Sequence, residues 1–398
     1  MPAIAQNTTR EVVVGAIPAG LLKIFEHSGV LYALTTTTQG AHGVYLYSSS
    51  DGGDTWTFRG YDDGYLCWAL RVSDSQVTVL MADDFTPQHI YFRDITLVAS
   101  PAFGAAYGRT GSPLLSALEP LGIQAAFGTI SFVQAGALFR VFYSIYPAYV
   151  YYWIDFNGTT WGSPTALATL SDPQMTIQPY VDGSYLYLVI GVGLAVVTVF
   201  RVLLATMATL WSETIDVRPS PDSLSVIVNG SWLTGDRIAL LVVDDRPWPS
   251  FSLSMIVLSH LTSAAPTVLR GATFATRQMG HPISLAYDPH TGSWIVPFPV
   301  TAPLAPVAPN EFFVDIEVYV SQDSMAQTGW QYFKLTSFAN PSTVDPSIPY
   351  FGKVFGSMRD DGKLDLHGEL IFITSGEVAR PAYLGYITLG GGWTLSEA

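Results

Sequence analysis

One pattern recurs along this chain and limits what it can fold into. It is an apolar strand, a second strand, a polar turn carrying Asp or Asn with Gly, and then Trp. Residues 30–56 show it, ending SSSDGGDTW, and so do residues 130–161, ending IDFNGTTW. Residues 180–211 keep the strands and the final Trp without the turn. Residues 283–294 carry YDPHTGSW, 312–330 carry SQDSMAQTGW, and 384–393 read LGYITLGGGW. Two further segments, 66–95 and 225–258, supply strands with weaker turns. A unit of roughly 50 to 65 residues suits a four-stranded sheet, and stacking such units is how thin sheets bury both faces.

The pattern predicts an all-β chain, a single β-propeller of about seven blades, with six as the alternative. A propeller has to hide the strand edges of its first and last blades. Residues 10–17 (REVVVGAI) read as a strand without a local partner. They are expected to complete the last blade beside residues 383–389 and so close the ring. Residues 1–9 then form an N-terminal tail, and the Pro-rich stretch 297–309 a protruding loop. All 398 residues belong to one domain. Helix is nearly absent; the best candidate is 112–119, with Ser112 as N-cap and Pro113 in the first turn.

Charge narrows the partners. Only 13% of residues are charged, against ~25% in an average soluble domain. That points to a surface coated with small polar and aromatic groups, or to one partly covered by other chains, where charge is depleted. The net charge is −14, with no basic run. Phosphate neutralisation needs clustered cations, so a nucleic-acid groove is not expected. Residues 185–204 could span a bilayer in length, but Gly191 and Gly193 split them into two β-rich halves, and no membrane insertion is expected. The N-terminus lacks the features of a Sec signal. Cys67 is the sole cysteine, so an internal disulfide is excluded.

At Ser49–Trp56 the chain reads S-S-D-G-G-D-T-W, which resembles the Asp-box (BNR-repeat) propellers, a group that includes sialidases and many non-enzymatic binding proteins. Asp51 is suited to accept N–H bonds across the turn, Gly53 to adopt strained backbone geometry, and Trp56 to cover apolar area between sheets. The resemblance implies that Ser49, Asp51, Gly53, Thr55 and Trp56 serve the fold at a blade periphery. Gly158, Thr160 and Trp161 keep half of a second box, with Asp155 shifted by one. Ser321, Asp323 and Trp330 mark a third that carries an insertion. Sialidases of this group also share an Arg-Ile-Pro segment, an arginine triad and a Tyr–Glu pair. This chain has no Arg-Ile-Pro.

The most suggestive loop is Asp244, Asp245, Arg246, Pro247, Trp248, Pro249. A Trp between prolines does not suit a central strand, and an aromatic face beside carboxylates and an Arg suits a sugar or partner contact. The other reading is a rigid inter-blade loop whose Trp caps its own core. Asp360-Asp361-Gly362 reads as a hairpin turn, since calcium-loop spacing is missing. The seven histidines show no metal-ligand spacing, and no catalytic or cofactor motif is recognisable, so no cofactor is expected.

These features lead to a non-enzymatic structural or adhesion protein; the propeller resemblance, not the residues themselves, makes a phage virion component of the tail, nozzle or fibre-associated kind the expectation. Its partners would be other virion proteins, copies of itself, or host-surface glycans. A lectin-like carbohydrate-binding propeller and a sialidase-like glycosidase are the alternatives. The expected location is the virion, with a soluble cytoplasmic or extracellular protein as the alternative.

Overall fold

Short strands with apolar residues on both faces cannot be satisfied by one layer, and in a computed structural model of the chain they form small sheets that lie on one another. The structure describes residues 5–6, 10–12, 22–37, 43–51, 57–62, 66–72, 76–82, 90–97, 101–105, 107–108, 130–145, 150–169, 174–192, 196–218, 226–244, 252–263, 265–271, 274–275, 285–288, 293–301, 313–321, 331–334, 350–358, 363–374, 377–379 and 382–388. Among them every element is a strand, and the strands group into seven antiparallel sheets. No helix among them is long and apolar enough to cross a membrane.

Two short strands, β1 (Ala5–Gln6) and β2 (Arg10–Val12), open the chain. Sheet I contains β3 (Leu22–His27), β4 (Val30–Thr37), β5 (Gly43–Ser49) and β6 (Thr57–Asp62). Sheet II contains β7 (Leu66–Val72), β8 (Gln76–Ala82), β9 (Ile90–Thr96) and β10 (Ala102–Phe103). Sheet III follows with β11 (Ile130–Ala135), β12 (Leu138–Ile145), β13 (Val150–Phe156) and β14 (Thr165–Thr169). Sheet IV has β15 (Gln174–Asp182), β16 (Tyr185–Val192), β17 (Val196–Leu203) and β18 (Thr209–Asp216). Sheet V has β19 (Val226–Thr234), β20 (Arg237–Asp244), β21 (Ser252–Ser259), β22 (Thr267–Arg270) and the short β23 (Phe274–Ala275). Sheet VI has β24 (Ala286–Asp288), β25 (Ser293–Thr301), β26 (Phe313–Ser321) and β27 (Gln331–Lys334). Sheet VII joins β28 (Tyr350–Met358), β29 (Lys363–Thr374), β30 (Glu377–Ala379) and β31 (Ala382–Thr388) with β1 and β2.

The element that repeats most regularly is the hairpin between the first and second strands of a sheet. Two-residue turns make it at Ser28-Gly29, Gly136-Ala137, Gly183-Ser184 and Gly235-Asp236. Each holds a glycine at positive φ, with Ser28 also at φ 52 beside Gly29. Such turns match the twist of the flanking strands, which is why glycine is used there. The Trp-ended units marked in the sequence do not coincide with the sheets. Trp294 lies inside β25, so the segments 283–294 and 312–330 contribute to one sheet, not two.

Alternation with period two puts apolar side chains on both faces. In sheet IV, Leu186, Leu188, Ile190 and Val202 pack on Val133, Phe142 and Tyr151 of sheet III. The intervening Tyr187, Val189, Val197 and Val199 pack on Ile238, Leu240, Val242 and Ile256 of sheet V. Sheet III turns Phe132, Val141, Tyr143, Ile154 and Phe156 toward Leu80 and Phe92 of sheet II. Sheet II in turn sets Val77, Val79, Met81 and Tyr91 against Tyr32, Leu34, Val44 and Leu46 of sheet I. Each such side chain removed from water contributes about 1.5–3 kcal/mol. The aromatic residues of β13 follow this plan, because Tyr151 and Trp153 face sheet IV while Tyr152 faces sheet II.

The N-terminal strands lie along β31. Arg10, Glu11 and Val12 stand opposite Leu384, Tyr383 and Ala382, and the pairing resumes with Gln6 opposite Ile387 and Ala5 opposite Thr388. The tail expected over 1–9 is thus partly strand, since the edge of β31 runs on far enough to pair it. The loop expected over 297–309 also needs correcting. Pro297 stands opposite Val318, Pro299 opposite Ile316 and Thr301 opposite Phe313, all within β25. Prolines two apart share one strand edge, so the other edge keeps its ladder. Residues 302–309, like 13–17 and 112–119, lie outside the described residues.

Burial pushes the phenols of Tyr47 and Tyr143 up to about 12, helped by neighbouring Tyr45 and Tyr152 respectively. It raises Tyr151, and Tyr107 beside Asp94, further still. A folded pKa above the unfolded value of ~10 means that the neutral form is favoured by folding. This contribution is intact below pH ~10 and is lost as pH rises through the folded values. Spectrophotometric titration should therefore show these phenols staying neutral beyond pH ~10 and ionising together with a cooperative alkaline unfolding. Ionisation of all tyrosines near their free value, with the fold intact, would refute the burial.

Candidate functional site

The first box turn begins at the end of β5. Ser49 is buried and its Oγ donates to Asp51 Oδ1 at 2.7 Å, while Asp51 itself is exposed. Gly53, Thr55 and Trp56 lie outside the described residues. At the second turn the residue that organises the backbone is Asn157, which the sequence reading passed over. Its Oδ1 accepts from the N–H groups of Thr159 (3.0 Å) and Thr160 (2.8 Å) and from the Thr159 hydroxyl (2.9 Å). Gly158 sits at φ +92. Trp161 lies tilted against Phe156, ring centres 4.7 Å apart, and donates from Nε1 to the Gly108 carbonyl at 2.9 Å, which pins sheet III to the segment after β10. Ser321 ends β26 opposite Trp294; Asp323 and Trp330 lie outside the described residues.

Asp155, expected near the turn, does something else. It stands directly opposite Arg140 of β12 in the ladder and meets it with two bonds of 2.8 Å. Arg140 is only 2% exposed, donates as well to the Leu204 carbonyl of sheet IV, and lies 4.5 Å from the Trp153 ring centre. The same device recurs. Arg201 of β17 reaches the Thr262 carbonyl of sheet V at 3.0 Å and lies over Tyr185 at 4.0 Å. Arg93 of β9 bridges to Asp62 of sheet I. A buried cation must be paired, and here each pairing crosses or braces a seam between sheets. The three arginines sit on three different sheets and are spent on structure, so they do not converge as a carboxylate-gripping triad would. Tyr107 donates to Asp94 Oδ1 at 3.1 Å, which also accepts from Thr78 at 2.7 Å, and this pair braces sheet II.

Of the loop marked as a ligand or partner contact, Asp244 is the last residue of β20, opposite Val226 and Ser252. Asp245, Arg246 and Trp248 lie outside the described residues.

A different surface emerges on sheet I. A bulge in β6 sets Gly60 opposite Leu46 but Phe58 opposite Tyr47, leaving Arg59 unpaired in the ladder. Gly60 accommodates this at φ +153. The extra residue shifts the alternation, so Phe58 and Tyr61 share the face of Tyr45 and Tyr47. Asp62 is turned the other way, toward Arg93. Tyr45 and Tyr61 stack with ring centres 5.8 Å apart, and Phe58 lies 5.5 Å from Tyr47. Phe58 is 51% and Tyr61 60% exposed. Single exposed aromatics are ordinary; here four are in contact and two of them are open to water, which forms an exposed aromatic patch. The sequence did show Tyr45 and Tyr47 two apart, but nothing in it announces the bulge. Among the described residues no group of metal-ligating side chains is gathered.

No protein-family model and no curated protein sequence matches this chain. Among solved structures, the hydrazine synthase of Kuenenia stuttgartiensis is similar over 93% of this chain and 95% of its own, at 11% identity and a TM-score of 0.52. A subtype N11 neuraminidase-like protein of A/flat-faced bat/Peru is similar over 82% of this chain and 88% of its own, at 10% identity and a TM-score of 0.44. Trypanosoma rangeli sialidase is similar over 91% of this chain and 54% of its own, at 11% identity and a TM-score of 0.43. At such identities the first likeness speaks for the fold, a β-propeller, and for nothing in the chemistry.

Removing the Asp155 carboxylate should leave Arg140 charged and buried with only the Leu204 carbonyl and the Trp153 face. Asp155→Ala is expected to cost about 3 kcal/mol in a denaturant melt. A change under ~0.5 kcal/mol, typical of exposed ion pairs, would show that the pair is solvated and idle.

Proposed function

We propose that the chain is a closed propeller of seven blades serving as a non-enzymatic contact protein, a structural or adhesion component of a phage virion. Its partners in this reading are other virion proteins, copies of itself, or glycans on a host surface. The observation that carries the reading is the aromatic quartet Tyr45, Tyr47, Phe58 and Tyr61 on the outer strands β5 and β6. Aromatic side chains bring large rigid area at low entropic cost, and they are enriched at contact surfaces. Placement in a virion is supported by the low charged fraction of 13%, which suits a chain covered by neighbours. The hydroxyls of Tyr45 and Tyr61 beside open ring faces keep the lectin-like reading as the second possibility.

Phe58→Ser combined with Tyr61→Ser is expected to leave the thermal melt unchanged and to weaken partner binding about tenfold or more, as loss of a contact centre does. Sedimentation of the isolated chain, incorporation into particles and glycan-array binding are the three readouts. Loss of incorporation or self-association supports the assembly role, and loss of glycan binding alone supports the lectin reading. If the double variant matches the unaltered chain in all three, the quartet is not the contact surface.

The closed ring rests on the pairing of β1 and β2 with β31. Removing residues 1–12 would bare the outer edge of β31, an invitation to pair with another chain. The shortened protein is expected to melt at lower temperature and to associate. An unchanged melting temperature and hydrodynamic size would mean that the pairing closes nothing.

A further inference from the structure

We propose that Asn157 is a self-modifying residue, converting to aspartate in the folded protein. The chain has two Asn-Gly pairs, 157–158 and 229–230. In such a pair no side chain shields the glycine nitrogen. That nitrogen, losing its proton, bonds to the Asn Cγ while Nδ2 leaves as ammonia, which yields a five-membered cyclic imide. Water then opens the ring at Cγ, the glycine nitrogen regains a proton, and aspartate results. Opening at the backbone carbonyl gives isoaspartate instead. The net change is amide plus water to carboxylate plus ammonium, with no oxidant or reductant.

What singles out Asn157 is its surroundings. Oδ1 receives three donors, the N–H groups of Thr159 and Thr160 and the Thr159 hydroxyl, at 2.8–3.0 Å. Three donors converging on a carbonyl oxygen polarise the carbon under attack and stabilise the charge that grows on oxygen. The same three then hold the product carboxylate in charge-assisted bonds, stronger than those to the amide. Only one bond has to reverse: Nδ2 now donates to Thr160 Oγ1 at 3.0 Å, and a hydroxyl can equally donate to the new oxygen. The turn is thus better matched to aspartate than to asparagine. Gly158 is at φ +92, and a methyl group placed there would meet nothing within 4 Å, so the attacking segment has room. Asn229 is the internal contrast. It is the extra residue of a bulge in β19, and Gly230 is held opposite Leu241 in the ladder with β20. Ring closure there would require leaving the sheet.

The test is peptide mapping by mass spectrometry after incubating the folded chain at mildly alkaline pH. Conversion is expected several-fold faster at Asn157 than at Asn229, and several-fold faster in the folded protein than in an excised peptide spanning 150–169. Aspartate should outweigh isoaspartate. Thr159→Ala, which deletes one donor, should slow the reaction several-fold, and Asn157→Asp should melt at an equal or higher temperature. A folded protein that converts more slowly than the peptide would overturn the proposal, as would a Thr159→Ala rate equal to the unaltered one or a lower melting temperature for Asn157→Asp.

Discussion

The structure depends on sheets that are apolar on both sides. A sheet of four short strands exposes two oily faces, and a single partner layer could cover only one. In sheet IV the side chains of β16 alternate without interruption, Leu186, Leu188 and Ile190 to one side and Tyr187 and Val189 to the other, all buried. Each sheet must therefore be held between two others. Sheets II, III and IV meet this demand from their sequence neighbours. The continuity of the apolar seams from sheet I to sheet V is the consequence of that demand.

Polar groups answer a different question, that of how the layers are kept in register. Apolar packing is non-directional and tolerates sliding. Arg140, Arg201 and Arg93 are directional, and each has to find an oxygen in one place. The Leu204 and Thr262 carbonyls and the Asp62 carboxylate fix where one sheet sits on the next. Trp161 and Trp211 add the same constraint through their ring nitrogens, which donate to Gly108 and Leu261. The cost of an unpaired cation in a dry seam makes a shifted packing unfavourable, so a few polar pins give uniqueness to a surface that area alone would leave sliding.

Much of the strand content was legible in the sequence, because Val, Ile, Tyr and Phe alternating between turn residues leave few other choices. The propeller class followed from repetition. The phasing of that repetition was less legible. The eye is drawn to Trp, yet Trp161, Trp211 and Trp294 occupy different positions in their sheets, while the more regular marker is the small glycine turn after the first strand. The second box turn was read from Asp155 because aspartate is the expected residue, yet Asn157 offers an oxygen of the same reach. The aromatic surface on sheet I was hidden for a geometric reason. Phe58 and Tyr61 are three apart, which in an unbroken strand places them on opposite faces, and only the unpaired Arg59 brings them together.

The opening strand lies against β31 with Ala5 facing Thr388, so the first and last described strands of the chain run side by side. Joining Ala5 to Thr388 by a short linker, in place of the segments outside them, would ask little of the backbone, and new ends could then be opened at one of the glycine turns.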